Sequence, residues 1–251
     1  MPDPGRLWLI GAGNMGGALL ARWRAAGLDP VVVDPALGLP MPAEGTPDIV
    51  VLAVKPQVWQ RAAAGLVDRT GPRTMIVSIM AGVPVVALRA RWPDAVLARA
   101  MPNTPARLGQ GITGLFVDGG GSDDRRRLTE LFAAAGETVW LDDEGDFDAL
   151  TAMSGSGPAY VFTFIEALAA AGEAAGLAPG LAARLAAVTV TGAAALAAEG
   201  TASPAALRVA VTSPNGTTAA GLAVLQPRLD GLLRETVAAA RSRSQALGRG
   251  E

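Results

Sequence analysis

The chain has 251 residues, half of them hydrophobic and 18% charged, with a formal net charge of −2. This length allows one large domain or two modest ones, and the near-neutral charge predicts no general attraction to nucleic acid or to anionic membranes. The sequence has no cysteine and no histidine, and no acidic cluster has the spacing of metal ligands. We therefore expect neither thiolate chemistry nor a metal site.

The first residues predict a cytoplasmic protein. The segment "MPDPGRLWLIGAG" passes from the initiator into a strand and a glycine turn, which leaves no room for a signal peptide. Long charge-free stretches at residues 149–165 and 209–227 are interrupted by "SGSGP" and "TSPNGTT", so we expect no membrane-spanning segment. The high apolar content instead predicts an oligomer.

The first half alternates between strands and helices. An apolar strand, a glycine turn and a helix that ends at Gly27 come first, and further strands are predicted at "PVVVD", "DIVVLAV", "TMIVSIMAG" and "AVLARAMP". Two candidate edge strands, "ITGLFVD" and "ETVWLDD", flank an amphipathic helix. This order predicts an α/β fold with a Rossmann-type, doubly wound parallel sheet over residues 1–145.

The glycine turn carries a dinucleotide-binding fingerprint. Gly11, Gly13 and Gly16 form GxGxxG between the first strand and the first helix. Gly11 would make the tight turn, Gly13 would let the backbone approach a pyrophosphate, and Gly16 would let helix and strand pack closely. The predicted cofactor contacts are Gly11, Ala12, Gly13, Asn14, Met15 and Gly16. The alternative is a glycine-rich packing turn that binds nothing.

Asp34 bears on the choice of cofactor. It ends the second strand, where an acidic residue is expected to hydrogen-bond the ribose 2′-hydroxyl of NAD, and no arginine or lysine occurs between Arg24 and Lys55 to pair with a 2′-phosphate. The cofactor is therefore NADPH or NADH, with NADH slightly favoured. Alternatively, Asp34 only opens the turn "DPALG".

The second half is helical and rich in alanine. Helices are predicted at residues 146–175, 178–199, 203–212, 217–225 and 228–247, with an interruption at "SGSGP" (154–158). Their small, weakly charged faces predict an all-α dimerisation domain over residues 146–251 that pairs with a second copy. A self-contained helical bundle is the alternative.

A second helix break is predicted at "VTSPNGTTAAG", residues 211–221. Pro214 and Gly216 stop the preceding helix, and Asn215 tolerates a left-handed conformation. Amide N–H groups at the start of the next helix, with the hydroxyls of Ser213, Thr217 and Thr218, would form an anion cradle sized for a carboxylate. An ordinary Ser/Thr helix cap is the alternative.

Ordered motifs over essentially the whole chain resemble the pyrroline-5-carboxylate reductase family. They are "GAGNMGGAL", "LAVKPQ", "MPNTPA", "SGSGPAY" and "VTSPNGTTAAGL". The chain departs from the family where Asn215 replaces a usual glycine and where the segment after Asp34 is short.

The resemblance implies the reduction of 1-pyrroline-5-carboxylate to L-proline, the last step of proline biosynthesis, by a homodimer or a larger homo-oligomer. It implies that Thr218 hydrogen-bonds the substrate ring nitrogen and serves as the catalytic residue. The implied substrate cradle is Ser213, Asn215, Gly216, Thr217 and Thr218. The further cofactor contacts that it implies are Ala53, Val54, Lys55, Pro56, Ala81, Gly82, Val83 and Asn103.

Alternatives remain for individual residues and for the function. Lys55 is the only lysine, and it would otherwise be a solvated residue after a strand, while Asn103 would suit a rigid loop without cofactor contact. A β-hydroxyacid dehydrogenase needs a lysine in its helical half, and none follows Lys55. The remaining alternatives are a non-catalytic dinucleotide sensor and a reductase of another cyclic imine. The arginines of "DDRRR" (123–127) predict a solvated helix start rather than a phosphate or nucleic-acid patch.

Overall fold

The computed structural model describes residues 5–249, which form two compact units. The first unit contains the residues up to Ser156 together with those from Ala239 onward, and the second unit runs from Gly157 to Ala238.

A single sheet of seven strands organises the first unit. The strands are β1 (Leu7–Ile10), β2 (Val31–Val33), β3 (Ile49–Leu52), β4 (Met75–Ser78), β5 (Val96–Met101), β6 (Gly111–Asp118) and β7 (Gly136–Trp140). Their order is β2-β1-β3-β4-β5-β6-β7, and all neighbouring pairs are parallel except β5 with β6. The predicted Rossmann-type sheet is therefore confirmed, with one antiparallel pairing.

Helices cover both faces of this sheet. They are α1 (Asn14–Ala25), α2 (Trp59–Ala63), α3 (Val85–Arg89), α4 (Ser122–Ala133) and α5 (Phe147–Leu150). On one face, Leu9 of β1 shares a core with Trp23 and Phe132, whose rings meet edge to face at 6.2 Å. On the other face, Ile10 packs in a core with Trp59. Because consecutive strand residues face opposite cores, the strands are apolar throughout, as expected for a parallel sheet buried on both sides.

The strand order creates a topological switch point. β2 and β3 pair with opposite edges of β1, so the chain leaves β1 towards one side and later continues towards the other. Ligands of open α/β sheets bind at the carboxyl ends of the strands at such a point. The turn that follows Ile10 is placed there.

The position of β6 differs from the prediction of an edge strand. β6 lies between β5 and β7 and runs antiparallel to β5, and β7 forms the edge. Only residues 102–110 connect β5 to β6, which is shorter than the dozen or so residues that a parallel crossover needs. The chain must therefore reverse direction.

The second unit is built from helices. They are α6 (Gly157–Ala174), α7 (Pro179–Ala198), α8 (Pro204–Ala210) and the first part of α9 (Thr217–Gly248). Helices α6 and α7 approach closely at Gly172, where a Cβ would lie only 3.2 Å from the Cβ of Ala182. The interruption predicted at residues 154–158 is confirmed, since a π-helical turn over Thr151–Gly155 precedes α6.

Helices α6 and α7 expose an apolar surface. Its larger side chains are Val161, Phe162, Phe164, Leu168, Leu181, Leu185, Val188 and Leu196. Helix α7 is also long and apolar enough to cross a membrane, with 11% of that stretch buried. One such helix is weak evidence for a membrane span, because a helix that packs against a protein partner has the same composition.

The predicted separation of two helices near residue 226 is wrong. α9 is continuous, with Pro227 inside it. Proline has no N–H to donate to the carbonyl of Ala223, four residues earlier, and this loss kinks or weakens a helix without always ending it.

The two compact units divide at 156/157, later than the predicted domain boundary at 145/146. Phe147 and Ala152 are buried in the first unit. The end of α9 also belongs to this unit, where the buried Ser244 hydroxyl donates to the Asp148 carboxylate at 2.6 Å. Long-range packing of this kind decides the division, and composition alone does not reveal it.

Candidate active site

The glycine turn has the geometry predicted for a dinucleotide fingerprint. Gly11 has a φ of +92°, and a Cβ there would lie 2.8 Å from the carbonyl oxygen of Ala53. A Cβ at Gly16 would collide with the carbonyl of Gly11, whereas one at Gly13 would have no atom within 4 Å. The tight turn predicted at Gly11 and the close packing predicted at Gly16 are confirmed. Gly13 borders open space, and the approach of a pyrophosphate there stays a prediction.

The start of α1 provides unused amide donors beside that space. The first hydrogen bond within the helix runs from the N–H of Gly17 to the carbonyl of Gly13. The N–H groups of Asn14, Met15 and Gly16 therefore have no intrahelical acceptor. Such amides, with the positive end of the helix dipole, bind phosphate.

Asp34 both opens a turn and supports the glycine turn. Its carboxylate accepts hydrogen bonds from the N–H of Ala36 at 3.1 Å and from the N–H of Ala12 at 2.8 Å. The first contact is the turn-opening role foreseen as the alternative, and the second links the end of β2 to the glycine turn. The amide of Ala12 is consequently occupied, and its contact with a cofactor through that N–H stays a prediction.

Residues 53–56 continue β3 past the glycine turn. The N–H of Ala53 donates to the carbonyl of Ile10 at 2.8 Å, and the side chain of Val54 lies against Gly11. Pro56 begins a 3-10 turn directly after Lys55. Lys55 is exposed and forms no salt bridge within residues 5–249, so its ammonium group is available to an anionic ligand.

The loop of Ala81, Gly82 and Val83 follows β4 at the same edge of the sheet. Gly82 has a φ of +72°, and a Cβ there would lie 3.0 Å from the backbone nitrogen of Gly248. Val83 is buried, whereas Ala81 and Gly82 are half-buried. The end of α9 thus packs directly on this loop.

Asn103 follows β5 and is held at both ends of its side-chain amide. Its oxygen accepts from the N–H of Ile112 at 3.0 Å, and its nitrogen donates to the hydroxyl of Ser154 at 3.2 Å. These bonds give Asn103 the rigid-loop role that was the alternative. Contact with the nicotinamide stays a prediction.

The predicted helix break occurs between α8 and α9. Asn215 has a φ of +58°, as predicted, and is the only non-glycine residue with positive φ among residues 5–249. The N–H of Gly216 is used within the turn, since it donates to the carbonyl of Ser213, and the first bond of α9 runs from Ala220 to Gly216. The amides free for an anion are therefore those of residues 217–219. Gly216 offers no free N–H, and its lack of a side chain leaves room for the Ser213 hydroxyl.

Hydroxyl groups surround these amides. Ser213, Thr217 and Thr218 are exposed, and a Cβ at Gly216 would collide with the Ser213 hydroxyl. The arrangement is neutral in charge, since it offers N–H and O–H donors and no cation; that it binds a carboxylate stays a prediction. This cradle belongs to the second unit.

Arg99 and Glu144 form a buried ion pair that was not predicted from the sequence. Arg99 of β5 is 6% exposed, and its guanidinium lies 2.9 Å from a Glu144 carboxylate oxygen and 4.2 Å from the centre of the Phe147 ring. The same Glu144 oxygen accepts from the N–H of Val85 at 2.7 Å. The available signal was an arginine inside the apolar strand "VLARAM", because a buried charge must be paired.

The arginines of residues 125–127 are engaged locally. Arg125 stacks 4.2 Å above Trp140, Arg127 lies 3.9 Å from Asp124, and Arg126 bonds to Asp123 and Glu130. The hydrogen bond to Asp123, followed by that to Glu130, raises the pKa of Arg126. The prediction of a solvated helix start is confirmed.

Two other features do not add to the site. A groove beside Arg6, Trp8 and Asp48 lies at the amino ends of β1 and β3, opposite the edge where open α/β sheets bind ligands. Within residues 5–249, no group of three or more acidic side chains is arranged to hold a metal ion.

Known proteins resemble both halves of the chain. A sequence model described as "Pyrroline-5-carboxylate reductase dimerisation" matches residues 144–247. A pyrroline-5-carboxylate reductase of Pseudomonas aeruginosa is 39% identical over 96% of each chain. The structure of a pyrroline-5-carboxylate reductase from Coxiella burnetii is 32% identical, with a TM-score of 0.88 over 98% of this chain and 99% of that one.

A pyrroline carboxylate reductase of Plasmodium falciparum, crystallised with NADP bound, is 27% identical, with a TM-score of 0.83 over 97% of this chain and 98% of that one. These matches extend through the dinucleotide fingerprint and through the helical region that holds the cradle. The chain belongs to the pyrroline-5-carboxylate reductase family.

Proposed function

We propose that this chain reduces 1-pyrroline-5-carboxylate to L-proline in an NAD(P)H-dependent reaction on a C=N bond, the last step of proline biosynthesis. The observation that carries this assignment is the uncharged cradle at residues 213–218, in a chain that also has an open dinucleotide turn. A small carboxylate that bears its own positive charge on an imine nitrogen matches such a cradle.

The first unit holds the cofactor, whose nicotinamide supplies a hydride when bound. The space over Gly13 admits the pyrophosphate, and the amides of Asn14, Met15 and Gly16 donate to its oxygens. The segments at residues 53–56 and 81–83, with Asn103, line the remainder of the cofactor along the carboxyl ends of β3, β4 and β5.

NADH is favoured over NADPH because of Asp34. Its carboxylate has room for one more donor, and a ribose 2′-hydroxyl supplies one, whereas a 2′-phosphate would meet like charge. A relative has been crystallised with NADP bound, so membership of the family does not by itself select NADH. The preference between NADH and NADPH therefore depends on residues near the ribose, such as Asp34.

The cradle orients the substrate. The amides of residues 217–219 hold its carboxylate, and the hydroxyl of Thr218 hydrogen-bonds the ring nitrogen, so that the imine is held in one orientation. A substrate that binds as an iminium ion is already electrophilic and needs no strong general acid. This agrees with a sequence that has neither histidine nor cysteine.

The active species is a homodimer at least, and the protein acts in the cytoplasm. The matched family region is described as a dimerisation region, and the exposed apolar side chains of α6 and α7 lie within it. We assign no nucleic-acid or membrane partner. The apolar surface is instead occupied by a second copy of the chain.

Steady-state oxidation of NADH and of NADPH with 1-pyrroline-5-carboxylate tests the assignment. Wild-type protein should turn over, and Thr218→Ala should lower kcat/KM by about 10- to 100-fold, the range of one hydrogen bond to a charged group. Wild-type protein that binds a dinucleotide without oxidising it would contradict the reductase assignment. That result would favour a sensor or another cyclic imine.

A further inference from the structure

Arg99 is a buried cation at the level where β4 ends. It pairs with Ser78, the last residue of β4, across the sheet, and the loop of residues 79–84 follows Ser78. Its guanidinium bonds to Glu144 at 2.9 Å and stacks on Phe147. A guanidinium buried to this degree requires such partners.

Glu144 connects this cation to the loop. The oxygen that receives Arg99 also accepts the N–H of Val85 at 2.7 Å, and Val85 is the first residue of α3, directly after the loop. The loop is therefore tied to β5 through one carboxylate. Ile79, the first residue of the loop, is tied to β3 through the hydrogen bond from its N–H to the carbonyl of Leu52 at 3.1 Å.

A second contact holds the middle of the loop. The backbone of Leu247 and Gly248 lies so close to Gly82 that a Cβ there would be 3.0 Å from the Gly248 nitrogen. With Glu144 at one end and α9 over the middle, the loop has little freedom to shift. Because buried ion pairs often contribute little to net stability, holding the loop in place is the role that these contacts favour.

We propose that Arg99 and Glu144 are positioning residues that hold Ala81, Gly82 and Val83 in the geometry that binds the nicotinamide dinucleotide. This proposal rests on the proposed function, in which the loop contacts the cofactor. Arg99 of β5 holds Glu144, and Glu144 holds the N–H of Val85 at the end of the loop, so the position of β5 fixes the end of the loop.

The variant Val85→Pro removes only this N–H group together with part of one side chain. Proline suits the first position of a helix, and Pro84 already has the extended backbone, φ −77° and ψ 160°, that a following proline needs. The control Val85→Ala keeps the N–H and removes more of the side chain. We expect Val85→Pro to raise the Kd for NADH about ten-fold over Val85→Ala, as misplacement of a binding group does.

Kinetics distinguish positioning from general damage. Because the loop serves the cofactor, Val85→Pro should raise the KM for NADH by a similar factor. The kcat at saturating NADH and the KM for pyrroline-5-carboxylate should stay near those of Val85→Ala. Equal Kd values for NADH in the two variants would overturn the proposal.

A second variant removes both charges at once. Arg99→Met combined with Glu144→Met leaves no buried charge unpaired, and it should weaken NADH binding about as much as Val85→Pro while the Tm stays close to wild type. Asp118→Asn is the control, because it neutralises the carboxylate that pairs with Arg89 at 2.8 Å, at the other end of α3, and should leave NADH binding unchanged. A double variant that binds NADH like wild type would also overturn the proposal.

Failure of the proposed function gives a different result. Wild-type protein that binds NADH without reducing pyrroline-5-carboxylate would refute the reductase assignment, and the comparison of Kd values would still decide the positioning role. Turnover by wild type with no difference between Val85→Pro and Val85→Ala would leave the reductase assignment intact and refute the positioning role.

Discussion

The carboxylate of Asp34 accepts a hydrogen bond from the backbone N–H of Ala12 at 2.8 Å. This bond joins the end of β2 to the middle of the dinucleotide fingerprint, so the residue proposed to select the cofactor also supports the turn proposed to hold its phosphates. A substitution at Asp34 therefore affects both the glycine turn and the choice of cofactor. Only the ratio of kcat/KM for NADH to that for NADPH isolates the effect on the choice of cofactor.

We predict that Asp34→Asn lowers the ratio of kcat/KM for NADH to that for NADPH by about ten-fold. The substitution removes a charged acceptor for the ribose hydroxyl, worth about 1.5–3 kcal/mol, and the charge that repels a 2′-phosphate, while one oxygen remains for Ala12. Steady-state kinetics with both cofactors measure the ratio. The exposed Asp29, at the amino end of β2, supplies the control Asp29→Asn. An unchanged ratio in Asp34→Asn would mean that Asp34 only builds the turn.

We predict opposite defects for alanine at two glycines of the fingerprint. Gly13→Ala places a methyl group in open space, so the free energy of unfolding should change by less than about 0.5 kcal/mol while NADH binding weakens. Gly16→Ala drives a methyl group into the Gly11 carbonyl and should destabilise the protein by about 1–3 kcal/mol. Urea denaturation and NADH titration of both variants test the contrast. Tight NADH binding by Gly13→Ala would show that no phosphate approaches this position.

Local backbone chemistry made these features predictable from sequence. Glycine after a buried strand, and asparagine between Pro214 and Gly216, have few allowed roles, so the conformations of Gly11 and Asn215 followed from their immediate neighbours. The strands were recognisable for the same reason, because apolar runs bounded by turn residues have few alternatives.

Contacts between distant residues were not predictable in this way. Arg99 and Glu144 lie 45 residues apart, and nothing in the sequence around either residue indicates that the other is its partner. The reversal at β6 depends on the length of one loop, and nothing near Pro227 in the sequence indicates that α9 continues through it, since proline usually ends or kinks a helix. The return of residues 239–249 to the first unit likewise has no signal in composition.

We predict that the cradle depends on the left-handed conformation of Asn215. Asn215→Gly should preserve stability and the KM for pyrroline-5-carboxylate, because glycine adopts a φ near +58° freely. Asn215→Ala should cost about 1–2 kcal/mol of local strain and raise that KM, with the Kd for NADH unchanged. Kinetics and NADH titration of the two variants provide the measurement. Equal KM values for pyrroline-5-carboxylate in the two variants would show that substrate binding does not depend on the conformation of this turn.

We predict that a charge on the apolar surface of α7 abolishes activity by separating the subunits. Val188 is 64% exposed in the single chain and lies within the region that matches the dimerisation family, so Val188→Glu would bury an unpaired carboxylate in the interface, at a cost of several kcal/mol. Val139→Glu, at an exposed valine of β7 outside that region, is the matched control.

Light scattering should show monomers for Val188→Glu and not for Val139→Glu. These monomers should bind NADH, because the glycine turn is intact, but should not reduce pyrroline-5-carboxylate. Full activity in a monomeric Val188→Glu protein would show that one copy suffices for catalysis.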